Sequence, residues 1–201
     1  GGGSISGGAP ARPSSANSDR RAAMGSREGI QAKAAGCLVY CTASIAVVHD
    51  LDSNIQGFFL EHDDDVSCVT VSCDGRIAAT GQIGKPSYAC VWYTGVETGT
   101  ISDKTGDLVM KVGENFFERG VNAVGLTSSS KCLLAIGEDD HHSMGAWLVP
   151  TGELIAQMTC QNGVPPQISC LAISPGQQTT EFLSTDNSGL CDVIVTTGDH
   201  H

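Results

Sequence analysis

Residues 66–93, VSCVTVSCDGRIAATGQIGKPSYACVWY, divide into three short strands and the turns between them. Branched residues alternate with small ones through Val66, Val69 and Val71, the spacing of a strand with one face turned inward. Cys73-Asp74-Gly75 is a tight-turn signal, 76–80 reads as a second strand, and Gly81 and Gly84 open a loop before a third strand that ends in Val91-Trp92-Tyr93.

The opening strand recurs. VSCVTVSCDG from Val66, VNAVGLTSSS from Val121 and ISCLAISPGQ from Ile168 share branched or apolar residues at the first, fourth and sixth places and a small polar residue at the seventh. Each copy is followed by a second apolar run, at 76–80, 132–136 and 181–184. In the first two copies come a Trp-bearing third strand, at 89–93 and 145–148, and a fourth opened by Gly106-Asp107 or Gly152-Glu153. Short strands in fours, in units of about 40 to 45 residues plus insertions, are the signature of propeller blades.

Upstream, 37–41, 44–48 and 55–60 are three more strands, read as the remnant of an earlier unit. The expected organisation is a disordered Gly/Ser/Ala/Arg-rich arm over 1–36 and a partial propeller over 37–201. The propeller divides into a remnant blade 37–60, blades 66–112 and 121–160, and a partial blade 168–201. The connection 94–107 reads as polar and irregular.

Charge is placed unevenly. The arm holds five Lys/Arg against two Asp/Glu, and the remainder six against twenty, within a total of −11. So acidic a folded part repels nucleic acid and anionic membranes and favours a basic partner. No apolar stretch is long enough for a signal peptide or a membrane span. Nine cysteines, with no Cys-x-x-Cys pair, read as thiols in a reducing compartment that serve as small core residues. Zinc-ligand spacing is absent.

The chain resembles the WD-repeat β-propellers, and within them the echinoderm microtubule-associated protein-like family. The residues that carry the resemblance are FFLEHDDDV at 58–66, IAATGQ at 77–82 and FERGV at 117–121, within a likeness that extends over about 37–190. The general WD motif is degenerate: Glu61-His62 stands where Gly-His is usual, and Trp92-Tyr93 and Trp147-Leu148 where Trp-Asp is usual. The basic coiled-coil segment and the hydrophobic motif that precede the blades in this family are not recognisable in 1–36.

The resemblance implies an all-β WD-repeat propeller segment of about three to four four-stranded antiparallel blades. It implies a non-catalytic interaction scaffold, cytoplasmic and cytoskeletal or ciliary, with no cofactor. Its partners are then proteins, tubulin or microtubule-associated complexes among them, and not nucleic acid or membrane. The resemblance also places His62, Thr80 and Trp92 in a hydrogen-bonded lock within the blade, left partial because the loop 83–87 supplies no Asp. Phe116, Phe117, Glu118 and Arg119 lie between blades and form the candidate partner contact, against the plainer reading that the Phe pair packs there.

Asp63-Asp64-Asp65 and Glu138-Asp139-Asp140-His141-His142 are the stretches whose residue types could hold a metal or share a proton. Neither has Ca²⁺-loop spacing, and both are expected as solvated loops. Two other readings are a WD-repeat adaptor outside the cytoskeleton and a metal-dependent propeller hydrolase built on the acidic loops. No nucleophile elbow, phosphate loop or dinucleotide fingerprint occurs.

Overall fold

The structure is a computed structural model that describes residues 30–34, 36–97, 100–160, 168–173 and 193–197. Every element among these residues is a β-strand. The first sheet runs in the order β1 (Ile30–Ala34), β2 (Cys37–Thr42), β3 (Ile45–Asp50), β4 (Ile55–Phe59). The second consists of β5 (Val66–Val71), β6 (Ile77–Gln82), β7 (Ser87–Tyr93) and, at its outer edge, β10 (Leu108–Phe117). The third is β11 (Val121–Leu126), β12 (Cys132–Gly137), β13 (Ser143–Leu148), β14 (Leu154–Thr159). Last, β15 (Ile168–Ile173) pairs with β16 (Val193–Thr197).

All pairings inside these sheets are antiparallel between neighbours, which short connections allow. The first strands β1, β5, β11 and β15 lie beside one another. Successive sheets thus fan out from a shared inner edge, the arrangement of propeller blades, and the described sheets do not close into a ring.

Three expectations are corrected. The first unit is not a three-stranded remnant, because Ile30–Ala34 forms its innermost strand, paired from Ile30 opposite Tyr40 to Ala34 opposite Cys37 with a register shift between Ile30 and Ala32. That also ends the expected arm before residue 30. Strand pairing uses the N–H and C=O groups that every non-proline residue carries, so a run poor in branched side chains joins the sheet once the chain turns at Gly36. The connection 94–107 is likewise not irregular throughout. It contains a small hairpin, β8 (Val96–Glu97) with β9 (Thr100–Ile101), laid against β3 and β4 of the first sheet. Val96 is buried there, and the Thr105 hydroxyl holds the base of the excursion through the Thr94 carbonyl at 3.0 Å. The fourth strand of the second unit, expected over 108–112, runs on to Phe117. The second strand expected at 181–184 lies outside the described residues, and the strand paired with the third copy is β16.

Among the described residues the hydrophobic interior is not one core but three, each between consecutive units. Cys37, Val39, Ala46, Val48 and Phe59 of the first sheet meet Ala78, Tyr88, Cys90 and Trp92 of the second. Ile77, Ala79, Ala89 and Val91 of the second meet Val121, Val124, Leu133 and Trp147 of the third. Cys132, Leu134 and Ile136 of the third meet Leu171 of β15. Because successive side chains of a strand point to opposite faces, even-numbered residues of β6 and β7 enter the first of these cores and odd-numbered ones the second. Both strands are buried along almost their whole length for that reason. Sheet contacts of this kind also explain the cysteines. Burial pushes the thiols of Cys41, Cys68 and Cys90 up to about 12, so they stay protonated and pack as small apolar groups. Cys37, Cys41, Cys68, Cys73, Cys90 and Cys160 form no disulfide.

Candidate functional site

His62 follows β4 in the loop that leads to β5, and its ring is buried between the first two sheets. Its Nε2 lies 2.7 Å from Thr80 Oγ1, and the Trp92 indole N–H donates to the same hydroxyl oxygen at 3.2 Å. Its Nδ1 lies 2.8 Å from Gln82 Oε1. A consistent set of protons follows. Trp92 donates to Thr80, the Thr80 hydroxyl donates to Nε2, and an Nδ1–H donates to the Gln82 carbonyl oxygen. The three residues named from the sequence are therefore brought together, and the link expected to be missing is present.

Gln82, the last residue of β6, takes the place that a loop Asp was expected to fill. It is fully buried, accepts the Asp63 N–H at 3.2 Å, and donates through Nε2 to the Pro86 carbonyl at 2.9 Å. Tyr88 adds a second tier, also absent from the sequence reading. Its hydroxyl receives the Asp63 N–H at 3.2 Å and lies 2.9 Å from Asp63 Oδ2 and 3.0 Å from the Glu61 carbonyl. Both residues are even-numbered members of β6 and β7, and that parity was the signal available in the sequence.

The lock also reaches beyond its own blade. Phe59 of the first sheet stacks on Trp92, centroids 4.9 Å apart and planes at 5°, and meets the His62 ring edge-on at 5.4 Å. It fastens one sheet to the next as well as bracing a single blade. Every polar atom in it has a partner, as burial requires.

Burial holds the His62 imidazole below its ordinary value, against the opposing pull of Gln82 and Asp63. The unfolded chain then takes up a proton near 6.5 that the folded chain refuses. Stability is whole above that value and declines as the pH falls through it towards the lower folded-state value. The expected urea midpoint is lower at about pH 5.5 than at about pH 7.5, with a flatter dependence in His62→Gln. Equal slopes in the two proteins would remove His62 as the cause.

The loops next to the lock are stitched together by backbone hydrogen bonds. Ile83 donates to Asp65, Gly84 to Arg119 and Glu138 to Gly120, at 2.8 to 3.0 Å. Their exposed side chains are Asp63, Asp64, Asp65, Glu118, Asp140, Lys85 and Arg119, and Arg119 is already paired with Asp140 at 2.7 Å. The acidic stretches do not converge as ligands. Asp139 is buried and caps its own loop, accepting from the backbone N–H groups of His141 and Ser143 at 3.0 Å. Among the described residues no His, Cys, Asp and Glu group is placed to hold a metal ion.

Of the candidate partner contact, Phe117 is 5 % exposed and packs with Phe116 and Trp147, at centroid distances of 5.0 and 5.7 Å. Its ring is part of the second inter-sheet core and not a surface anchor. Phe116 is half-buried, 5.3 Å from Trp147, and Glu118 and Arg119 are exposed. The second tryptophan, Trp147, has no lock around it like that of Trp92. Its ring lies over Gly145, whose missing side chain leaves room for it.

No protein-family model matches the chain. Echinoderm microtubule-associated protein-like 1 of Rattus norvegicus is 26% identical over 137 residues, 63% of this chain and 16% of that protein. Echinoderm microtubule-associated protein-like 2 of Homo sapiens is 28% identical over 137 residues, 63% of this chain and 20% of that protein. The 77 kDa echinoderm microtubule-associated protein of Lytechinus variegatus is 26% identical over 121 residues. The chain thus spans only 16 to 20% of the length of these relatives. Among solved structures, a propeller chain in the crystal structure of the mitotic checkpoint complex superposes with a TM-score of 0.54 at 19% identity, covering 71% of this chain and 40% of that one. At that identity the likeness concerns the fold. Among the described residues no helix is long and apolar enough to cross a membrane.

Proposed function

Because the chain is a WD-repeat β-propeller segment similar in sequence to the echinoderm microtubule-associated protein-like proteins, we propose that it is a non-catalytic protein-interaction scaffold with a cytoskeletal or ciliary role. Its units are blades, and its partners are proteins of the microtubule system. The observation that carries the reading is the use made of the reactive-looking groups. Both ring nitrogens of His62 are committed to Thr80 and Gln82, and the Asp139 carboxylate is committed to its own loop. Such groups hold blades in place, and loops on a fixed frame are where propellers meet partners. The exposed Glu118 and Arg119 belong to that loop surface.

Acidity sets how the chain engages the cytoskeleton. The tubulin surface is itself acidic, so residues 37–201 are repelled by it and the direct grip on the polymer belongs to basic sequence elsewhere. In co-sedimentation at physiological salt, the isolated chain is expected to stay in the supernatant, and tight pelleting with microtubules would overturn that division of labour. In affinity capture from cytosolic extract, microtubule-associated proteins are expected among the partners. A partner set without them would instead favour an adaptor outside the cytoskeleton.

A further inference from the structure

A groove of 660 Å³ runs between the outer strand of the second sheet and the β13–β14 corner of the third. Phe116 and Leu154 give the open groove its accessible apolar surface, with the buried Val112 and Trp147 beneath, and the ion pair of Lys111 with Glu114, at 2.7 Å, edges it. A second hollow of 440 Å³ shares Glu114 with it and reaches Lys85 and Glu118, so the two form one seam that opens onto the acidic loops.

The seam exists because β10 leaves its ladder. Val112 is opposite Ala89 and Phe117 opposite Ser87, so residues 113–116 stand against Tyr88 alone. Gly113, at φ 90°, lets the strand swing out while the Phe117 ring fills the place its side chain would take, 2.3 Å from an added Cβ. β10 is also the outermost strand of its sheet, and its outer edge carries no strand among the described residues.

An open strand edge beside an apolar trough is the geometry that takes an extended peptide, with main-chain pairing for affinity and the trough for one side chain. Charge decides what flanks that side chain. Lys111 is engaged by Glu114 and lies 3.7 Å over the Tyr88 ring, and Lys85 stands against Glu118, so the excess negative charge comes from the adjoining Asp63, Asp64 and Asp65 in a chain of net charge −11. A cationic segment is attracted and an acidic one repelled.

We propose that this seam binds an extended peptide of a partner protein, with a bulky aliphatic side chain seated on Phe116 and Leu154 beside Trp147 and flanking Lys or Arg residues directed at Glu118 and the Asp63–Asp65 loop. The proposal rests on the scaffold reading and names the seat and the chemistry of one partner.

The test uses the 201-residue chain and two fluorescein-labelled peptides, Ser-Lys-Val-Leu-Val-Arg-Ser and Ser-Glu-Val-Leu-Val-Glu-Ser, followed by anisotropy at physiological salt. The basic peptide is expected to bind saturably and to change the emission of Trp147, a change lost in Trp147→Phe. The acidic peptide is expected to bind about tenfold more weakly. Leu154 is 42 % exposed on an outer strand, so Leu154→Ser leaves the fold in place. It should weaken the basic peptide about tenfold, as should Glu118→Gln with Asp64→Asn. Absence of saturable binding to a chain with native circular dichroism overturns the proposal, as does equal binding of both peptides or of all variants. If the peptides fail while capture still recovers microtubule-associated proteins, the seam is wrong and the scaffold reading stands. If the basic peptide binds as described and capture recovers none, the cytoskeletal role alone falls and the seam stands.

Discussion

Thr80→Val is expected to lower stability by about 3 kcal/mol and the thermal midpoint by ~10 °C. The two side chains have nearly the same shape, so packing is kept and only the hydroxyl is lost. That hydroxyl serves two buried groups at once, as acceptor for the Trp92 indole N–H and as donor to His62 Nε2. Without it a ring nitrogen and an indole N–H remain in a site closed to water, and each unsatisfied group costs about 1–3 kcal/mol. Thr80→Ser keeps the hydroxyl and should lose under about 1 kcal/mol. In an NMR spectrum the Trp92 indole N–H, fully protected in the parent, should exchange readily with solvent in Thr80→Val. A variant as stable as the parent, with that proton still protected, would mean that the stacked Phe59, Trp92 and His62 rings hold the sheets together unaided.

Gly81→Ala is expected to cost about the same, roughly 3 kcal/mol, by a different route. The inner end of β6 lies so close to β11 that a Cβ on Gly81 would stand 2.5 Å from Val121 Cγ1, 2.6 Å from its Cβ and 2.9 Å from Cys68 Sγ. Val121 is fully buried and β-branched, so it has no alternative rotamer into which to withdraw. The sheets have to separate at a point where Ser67 Oγ also reaches the carbonyl oxygens of Gly81 and Val121. Val121→Ala removes the methyl groups but keeps the Cβ 2.6 Å away, so it relieves part of the collision. The double variant should therefore be less destabilised than the two single variants summed, which a double-mutant cycle on urea midpoints measures. Strict additivity would show that the strain is relieved elsewhere.

Much of the fold was legible in the sequence because repetition amplifies a faint signal. The branched residues at Val66, Val121 and Ile168 mark β5, β11 and β15, each a first strand, and the Trp-bearing runs mark β7 and β13. What escaped notice lacked side-chain pattern. Ile30–Ala34 joins the first sheet through backbone pairing, and β8 and β9 are paired strands of two residues each. The lock was legible in its three named residues and not in its fourth. A turn Asp is looked for in a loop, whereas Gln82 lies at the end of a strand whose even positions all face the same neighbour. Of the two readings given for Phe117, partner contact and packing between units, the core position agrees with packing. A position between units reads as a loop, but β10 continues through it, and a strand residue there turns into the core.

The alternation of β6 and β7 between two cores has a consequence for how the chain responds to change. Substitutions at even positions such as Ala78, Thr80, Cys90 and Trp92 loosen the seam towards the first sheet, and those at odd positions such as Ala79, Gly81, Ala89 and Val91 the seam towards the third. Two strands thus act as the common leaf of two hinges. Interfaces between neighbouring repeats set how far a perturbation spreads along an array. Sequence drift at one parity can retune the fit of one pair of blades without touching the other, so adjacent loop surfaces can evolve independently although they are carried by the same two strands.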